Sequence, residues 1–123
     1  MPSIPTRLMG TGSSWPSALA ICGGVANTLT AVGTTNANAL ALSAEINVVT
    51  TAAAGTGVRL VPVEVGSSVV VANQGANALL VYPGTGVQID ALTVTTGGFS
   101  IPVGKSAVFY GVSGTQWISN LGA

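Results

Sequence analysis

The reading starts from Val58-Arg-Leu-Val-Pro-Val-Glu-Val65, Ser68-Val-Val-Val-Ala-Asn73, Gln74-Gly-Ala-Asn77 and Ala78-Leu-Leu-Val-Tyr-Pro83. The stretch continues through Val87-Gln-Ile-Asp-Ala-Leu92, Phe99-Ser-Ile-Pro-Val103, Ala107-Val-Phe-Tyr-Gly-Val112 and Gln116-Trp-Ile118. Short apolar runs alternate with Gly, Asn, Pro and Thr, and turn signals recur about every 8–12 residues, the pattern of an antiparallel all-β domain. Val58–Val61 reads as a strand with Arg59 facing away from Val58 and Leu60, since successive side chains alternate in direction. Pro62 suits a strand end. Ser67–Asn73 is nearly all valine and reads as a strand buried on both faces. Gln74–Asn77 reads as a hairpin loop that lets Ala78–Tyr82 pair back on it. Val87–Asp90 and Leu92–Thr95 read as two short strands or one bent strand, and Phe99–Val103 as a further strand. Phe109 and Tyr110 are expected on opposite faces of one strand, and Trp117 and Ile118 on opposite faces of the last.

The first half of the chain is less regular. Residues 1–16 read as an extended arm, because Pro2, Pro5 and Pro16 disfavour helix and Gly10, Gly12, Ser13 and Ser14 favour irregular backbone. The arm nevertheless carries Ile4, Leu8, Met9 and Trp15, more large apolar groups than a solvated tail usually holds. Residues 17–123 read as a single β domain, either a β-sandwich or a barrel-like fold of jelly-roll or β-tulip type. Within it, Thr28–Val32 and Glu45–Thr51 are expected strands, the second because β-branched residues dominate. Ala37–Leu42 fits helix by composition and strand by alternation. Ala-Asn-Ala-Leu occurs at 37–40 and at 76–79, and Gly-Thr-Gly at 10–12, 55–57 and 84–86. In a chain this rich in Ala, Gly, Thr and Asn, coincidence accounts for both repeats.

Composition narrows the function. Charged residues make up 5 % of the 123 residues, and formal net charge is zero, where ordinary domains carry about 25 %. The six are Arg7, Glu45, Arg59, Glu64, Asp90 and Lys105. So little charge is a weak defence against self-association, and much of the surface is expected to be covered in the working state. Three cations do not support nucleic-acid binding through many phosphates, nor a polybasic membrane site. No run is long and uninterrupted enough for a membrane-spanning helix.

With no histidine and one cysteine, a Ser–His–acid triad, a Cys–His pair and a Cys/His zinc site are not available within one chain. The three acids are scattered, which argues against paired-carboxylate catalysis and against calcium. No cofactor is expected, and the chain reads as a non-enzyme. Trp15 and Trp117 are the residues that could anchor a partner, Trp15 at an interface and Trp117 more simply in the core. Arg59 and Glu64 are candidates for ion pairs between subunits. The candidate interface set is therefore Ile4, Arg7, Leu8, Met9, Trp15, Arg59 and Glu64.

Val58-Arg-Leu-Val-Pro62, Val69-Val-Val-Ala-Asn-Gln-Gly-Ala-Asn-Ala-Leu-Leu-Val-Tyr-Pro83 and Ile89-Asp-Ala-Leu92 resemble a β-rich module of tailed-bacteriophage structural proteins. Val103-Gly104, Ala107-Val-Phe109 and Gln116-Trp117 extend the likeness, which covers about half of the chain. The module is similar to one in head-decoration (cement) proteins and in fibre-type virion proteins. The resemblance implies a non-enzymatic virion component on the outer surface of the capsid, a homotrimer or other small oligomer bound to the major capsid protein, and transfers no functional residue. The alternative it leaves is a fibre or spike module that binds a host glycan or receptor, with Trp117 or Tyr82 on an open face.

Overall fold

A computed structural model describes residues 24–122. The arm expected at residues 1–16 lies outside the described residues. Among the described residues there are ten strands and no helix: β1 (Val25–Thr30), β2 (Leu40–Ala41), β3 (Ile46–Thr51), β4 (Gly57–Arg59), β5 (Ser68–Asn73), β6 (Leu79–Tyr82), β7 (Gln88–Ile89), β8 (Phe99–Ile101), β9 (Ser106–Ser113) and β10 (Gln116–Leu121). They form two sheets. A six-stranded sheet has the order β1-β3-β5-β9-β10-β7, and a four-stranded sheet the order β2-β4-β6-β8.

The chain changes sheet at every connection up to β9, and only the β9–β10 turn keeps it in the same sheet. A chain that leaves and returns in the same direction pairs in parallel. β1, β3 and β5 are accordingly parallel, and so are β2, β4 and β6. β8 and β9 then add antiparallel to β6 and β5, β10 pairs antiparallel with β9, and β7 joins β10 in parallel. Both sheets are thus mixed and open-edged. This corrects two expectations: the pairing is not purely antiparallel, and no barrel closes.

The Gln74–Asn77 hairpin is a third correction. β5 lies between β3 and β9 in one sheet, while β6 lies between β4 and β8 in the other. Gln74–Asn77 is the corner between them. Asn73 holds this corner: it is fully buried, its Nδ2 donates to the carbonyls of Asn77 and Ile101 at 2.9 Å each, and its Oδ1 accepts the Gly75 N–H at 3.0 Å. Asn77 Nδ2 in turn donates to the Ala52 carbonyl at 2.8 Å. A Cβ on Gly75 would stand 2.8 Å from both the Cβ and the backbone nitrogen of Ala52, so only glycine brings the corner this close.

The core follows from strand alternation. Val69 and Val71 of β5, Val49 of β3, Phe109 and Ala107 of β9 and Trp117 of β10 point inward from the larger sheet. Val58, Leu79, Val81 and Ile101 point inward from the smaller one, and all of these join one buried cluster. Phe99 packs edge-on against Phe109, with ring centroids 5.4 Å apart. Val70 and Ala72 are only half-buried, so β5 is covered on one face rather than two. Phe109 is buried with Tyr110 exposed, and Trp117 is buried with Ile118 exposed, as the alternation requires. Leu92–Thr95 is not a strand. The chain turns there, with Asp90 at φ 50° and Thr95 at φ 66°.

Gly111 marks the tightest approach between β9 and the loop before β5. Its N–H donates to Ser67 O at 2.9 Å, and its carbonyl accepts the Gly66 N–H at 2.8 Å. A Cβ there would stand 2.1 Å from the Glu64 carbonyl oxygen. Gly111→Ala is expected to push the loop away and weaken both bonds, at a cost of about 2–4 kcal/mol. A urea unfolding curve with an unchanged midpoint would contradict this.

Candidate interaction surface

Of the residues expected at an interface, Ile4, Arg7, Leu8, Met9 and Trp15 lie outside the described residues. Arg59 and Glu64 are described, and the fold does not bring them into one cavity. Arg59 ends β4, is half-buried, and donates from Nη1 to the Asn36 carbonyl at 3.1 Å. It lines a groove of about 370 Å³ with Leu42, Val61, Pro62, Pro83 and Val87. Glu64 is exposed in the crossover from β4 to β5. It lines a second groove, of about 300 Å³, with Glu45, Ser67 and Ser68. Val61 and Pro62 border both grooves and form the ridge between them.

Several polar side chains in and around the grooves hold the backbone in place. Asn36 Oδ1 accepts the Gly84 N–H, and Glu45 Oε2 accepts the Gly24 N–H at 2.6 Å. Asn47 is fully buried and donates to Ala44 O and Val70 O. Asp90 binds the N–H and the hydroxyl of Ser119, which ties the loop after β7 to β10. Glu45 and Glu64 share a groove while Asp90 is held against β10, so the three acids do not converge. Among the described residues no group of three potential metal ligands occurs.

The aromatic side chains are mostly internal. Trp117 is fully buried, and Tyr82 is 5 % exposed with its hydroxyl donating to the Thr34 carbonyl at 2.9 Å. The open aromatic face expected of a glycan-binding module is therefore not formed by Trp117 or Tyr82. Among the described aromatic residues, Tyr110 is the one with an exposed ring, at 44 %.

Tyr110 belongs to the outer face of the six-stranded sheet. Registers place Val25, Ile46, Val70, Val108 and Asn120 in one row across five strands. A second row joins Ser68, Tyr110 and Ile118. Val48, Ala72, Ser106 and Val112 share this side of their strands by alternation. Val25 is 61 % exposed and Ile118 43 %, with Ile46 and Val112 also open. Among the described residues no charged side chain stands on this face: Glu45, Arg59, Glu64, Asp90 and Lys105 all lie in loops, in turns or on the smaller sheet. The result is a broad surface of β-branched and hydroxyl side chains.

None of these face residues was in the set expected from sequence. The signal was present as apolar residues at both parities of one strand, in Val69-Val70-Val71 and Val108-Phe109-Tyr110. Such a run fits a strand covered on both sides, and in the described residues only one side is covered. Neither a protein-family model, nor a curated protein, nor a solved structure matches the chain.

Proposed function

We propose that this chain is a non-enzymatic structural component of a phage virion, a decoration protein that binds the outer surface of the capsid and stabilises the shell across its joints. In this reading the two sheets pack as a sandwich, residues 1–16 reach to the shell or to a sister subunit, and the working unit is a homotrimer on the major capsid protein. The observation that carries the proposal is the uncharged, partly apolar outer face of the six-stranded sheet in a chain with six charged residues. A surface of that kind gains by being covered, at roughly 25 cal/mol per Å² of apolar area removed from water. Association entropy and side-chain ordering offset part of that gain, and a shell repeats the contact many times.

A fibre or spike module that binds a host glycan is the competing assignment. The burial of Trp117 and Tyr82 weighs against it.

The test is binding of purified protein to matching capsids that lack it, followed by sedimentation. Saturable binding is expected, together with a higher temperature of particle disruption. Because the candidate surface carries no charge, raising the salt from about 0.05 to 0.5 M should leave the affinity nearly unchanged, since screening acts only on charged contacts. Absence of capsid binding would overturn the proposal, and a steep loss of affinity with salt would remove its stated physical basis.

A further inference from the structure

We infer that the outer face of the six-stranded sheet is a self-association surface, covered in the free protein by the same face of a second copy of this chain. The inference stands on the sheet alone and concerns the protein away from capsids, since the pair must open before the same face can cover a shell.

Three observations select this occupant. The first is charge. A partner recognised electrostatically would have nothing to grip, because the charged residues among those described all lie off the face. Two copies of an uncharged face, by contrast, meet without like-charge repulsion and without burying an unpaired ion, the two main penalties of a homotypic contact.

The second is size. Five strands at about 4.8 Å spacing and some six residues at about 3.3 Å each give a footprint of about 500 Å² per copy, so that a pair covers about 1,000 Å², the threshold of a specific interface.

The third is shape. Val25, Ile46, Val70, Val108 and Ile118 are β-branched residues on a regular pleat, and sheets stack face to face about 10 Å apart through such side chains. Ser68 and Ser106 flank the central row on either side and permit close approach.

The experiment is the oligomeric state of the full-length chain in the absence of capsids, by sedimentation equilibrium over a range of concentrations. The wild type is expected to self-associate. Ile118→Lys places a charge beside Tyr110 in the second row and should weaken association at least tenfold. Ile118→Thr keeps the β-branched shape and should weaken it less, which separates charge burial from misfolding. Val94→Lys, on an exposed loop residue away from the face, should leave association unchanged. Circular dichroism and thermal melts establish that each variant is folded. A wild type that remains monomeric up to about 100 µM, a concentration at which even weak specific pairs form, overturns the inference. So does a folded Ile118→Lys variant that associates as the wild type does. Failure to bind capsids, with self-association intact, would overturn the decoration reading and leave this inference standing.

Discussion

Asn73→Ala is expected to lower the unfolding free energy by about 3–5 kcal/mol, a large share of the roughly 5–15 kcal/mol that holds a domain folded. The side chain is fully buried and serves three backbone groups at once: the carbonyls of Asn77 and Ile101 and the N–H of Gly75. Alanine leaves all three without that partner, and an unsatisfied group costs about 1–3 kcal/mol where it is buried, as at Ile101 and Gly75, and less at the exposed Asn77. The sum stays below the simple total because the corner relaxes and admits water. The variant N73D is the sharper comparison. It keeps the size and the acceptor facing Gly75 but removes the amide donor, and it sets carboxylate oxygens against two carbonyls. It should therefore be no more stable than N73A at neutral pH. Chemical denaturation of the three proteins measures this directly. An N73D protein as stable as the wild type would mean that the amide donor does not hold the corner.

The second large effect is expected at Trp117. Its side chain is among the largest that are fully buried in the core, paired through β10 with β9 and β7. Trp117→Ala should cost about 3–5 kcal/mol through lost burial and the cavity left behind. For a domain of this size that corresponds to a fall in melting temperature of roughly 15 °C or more. Trp117→Phe should cost much less, about 1–2 kcal/mol. The reason is specific: the indole Nε1 is buried and has no hydrogen-bond partner among the described residues, so phenylalanine removes volume without breaking a bond. Calorimetry on the two variants checks the ranking. Equal losses would imply that the indole nitrogen is bonded after all, or that the ring is not in the core.

The all-β character was legible from the spacing of turn residues, and so were the opposite faces taken by Phe109 and Tyr110 and the core position favoured for Trp117. Glu45–Thr51 was legible because Ile46, Val48 and Val49 leave little choice. The connectivity was not. Gln74-Gly-Ala-Asn77 has the residues of a hairpin, and what makes it a corner is Asn73 turning inward to bond the loop, which no local pattern announces. The repeated Ala-Asn-Ala-Leu looked like a compositional accident. In the fold, Leu40 and Leu79 each open a strand of the four-stranded sheet, β2 and β6, with β4 between them.

The candidate surface was missed for a related reason. Val70, Val108 and Ile118 look like core residues in sequence, because hydrophobicity at both parities does not say whether the second side is covered by the same chain. The residues expected at an interface were those of the arm, with Arg59 and Glu64 as candidates for ion pairs between subunits. Within the chain, Arg59 donates to the Asn36 carbonyl.

The alternation between sheets also sets the tempo of folding. Among the described strands, only β9 and β10 pair as sequence neighbours. Every other strand must wait for a partner made after an intervening visit to the opposite sheet, and domains dominated by such distant pairings fold in milliseconds to seconds rather than microseconds. β5 is the extreme case. Val69, Val70 and Val71 emerge from the ribosome well before β9, at 106–113, is available to flank them. During that interval a strand with three consecutive valines has a bare edge, which makes the nascent chain, rather than the finished fold, the stage most exposed to aggregation.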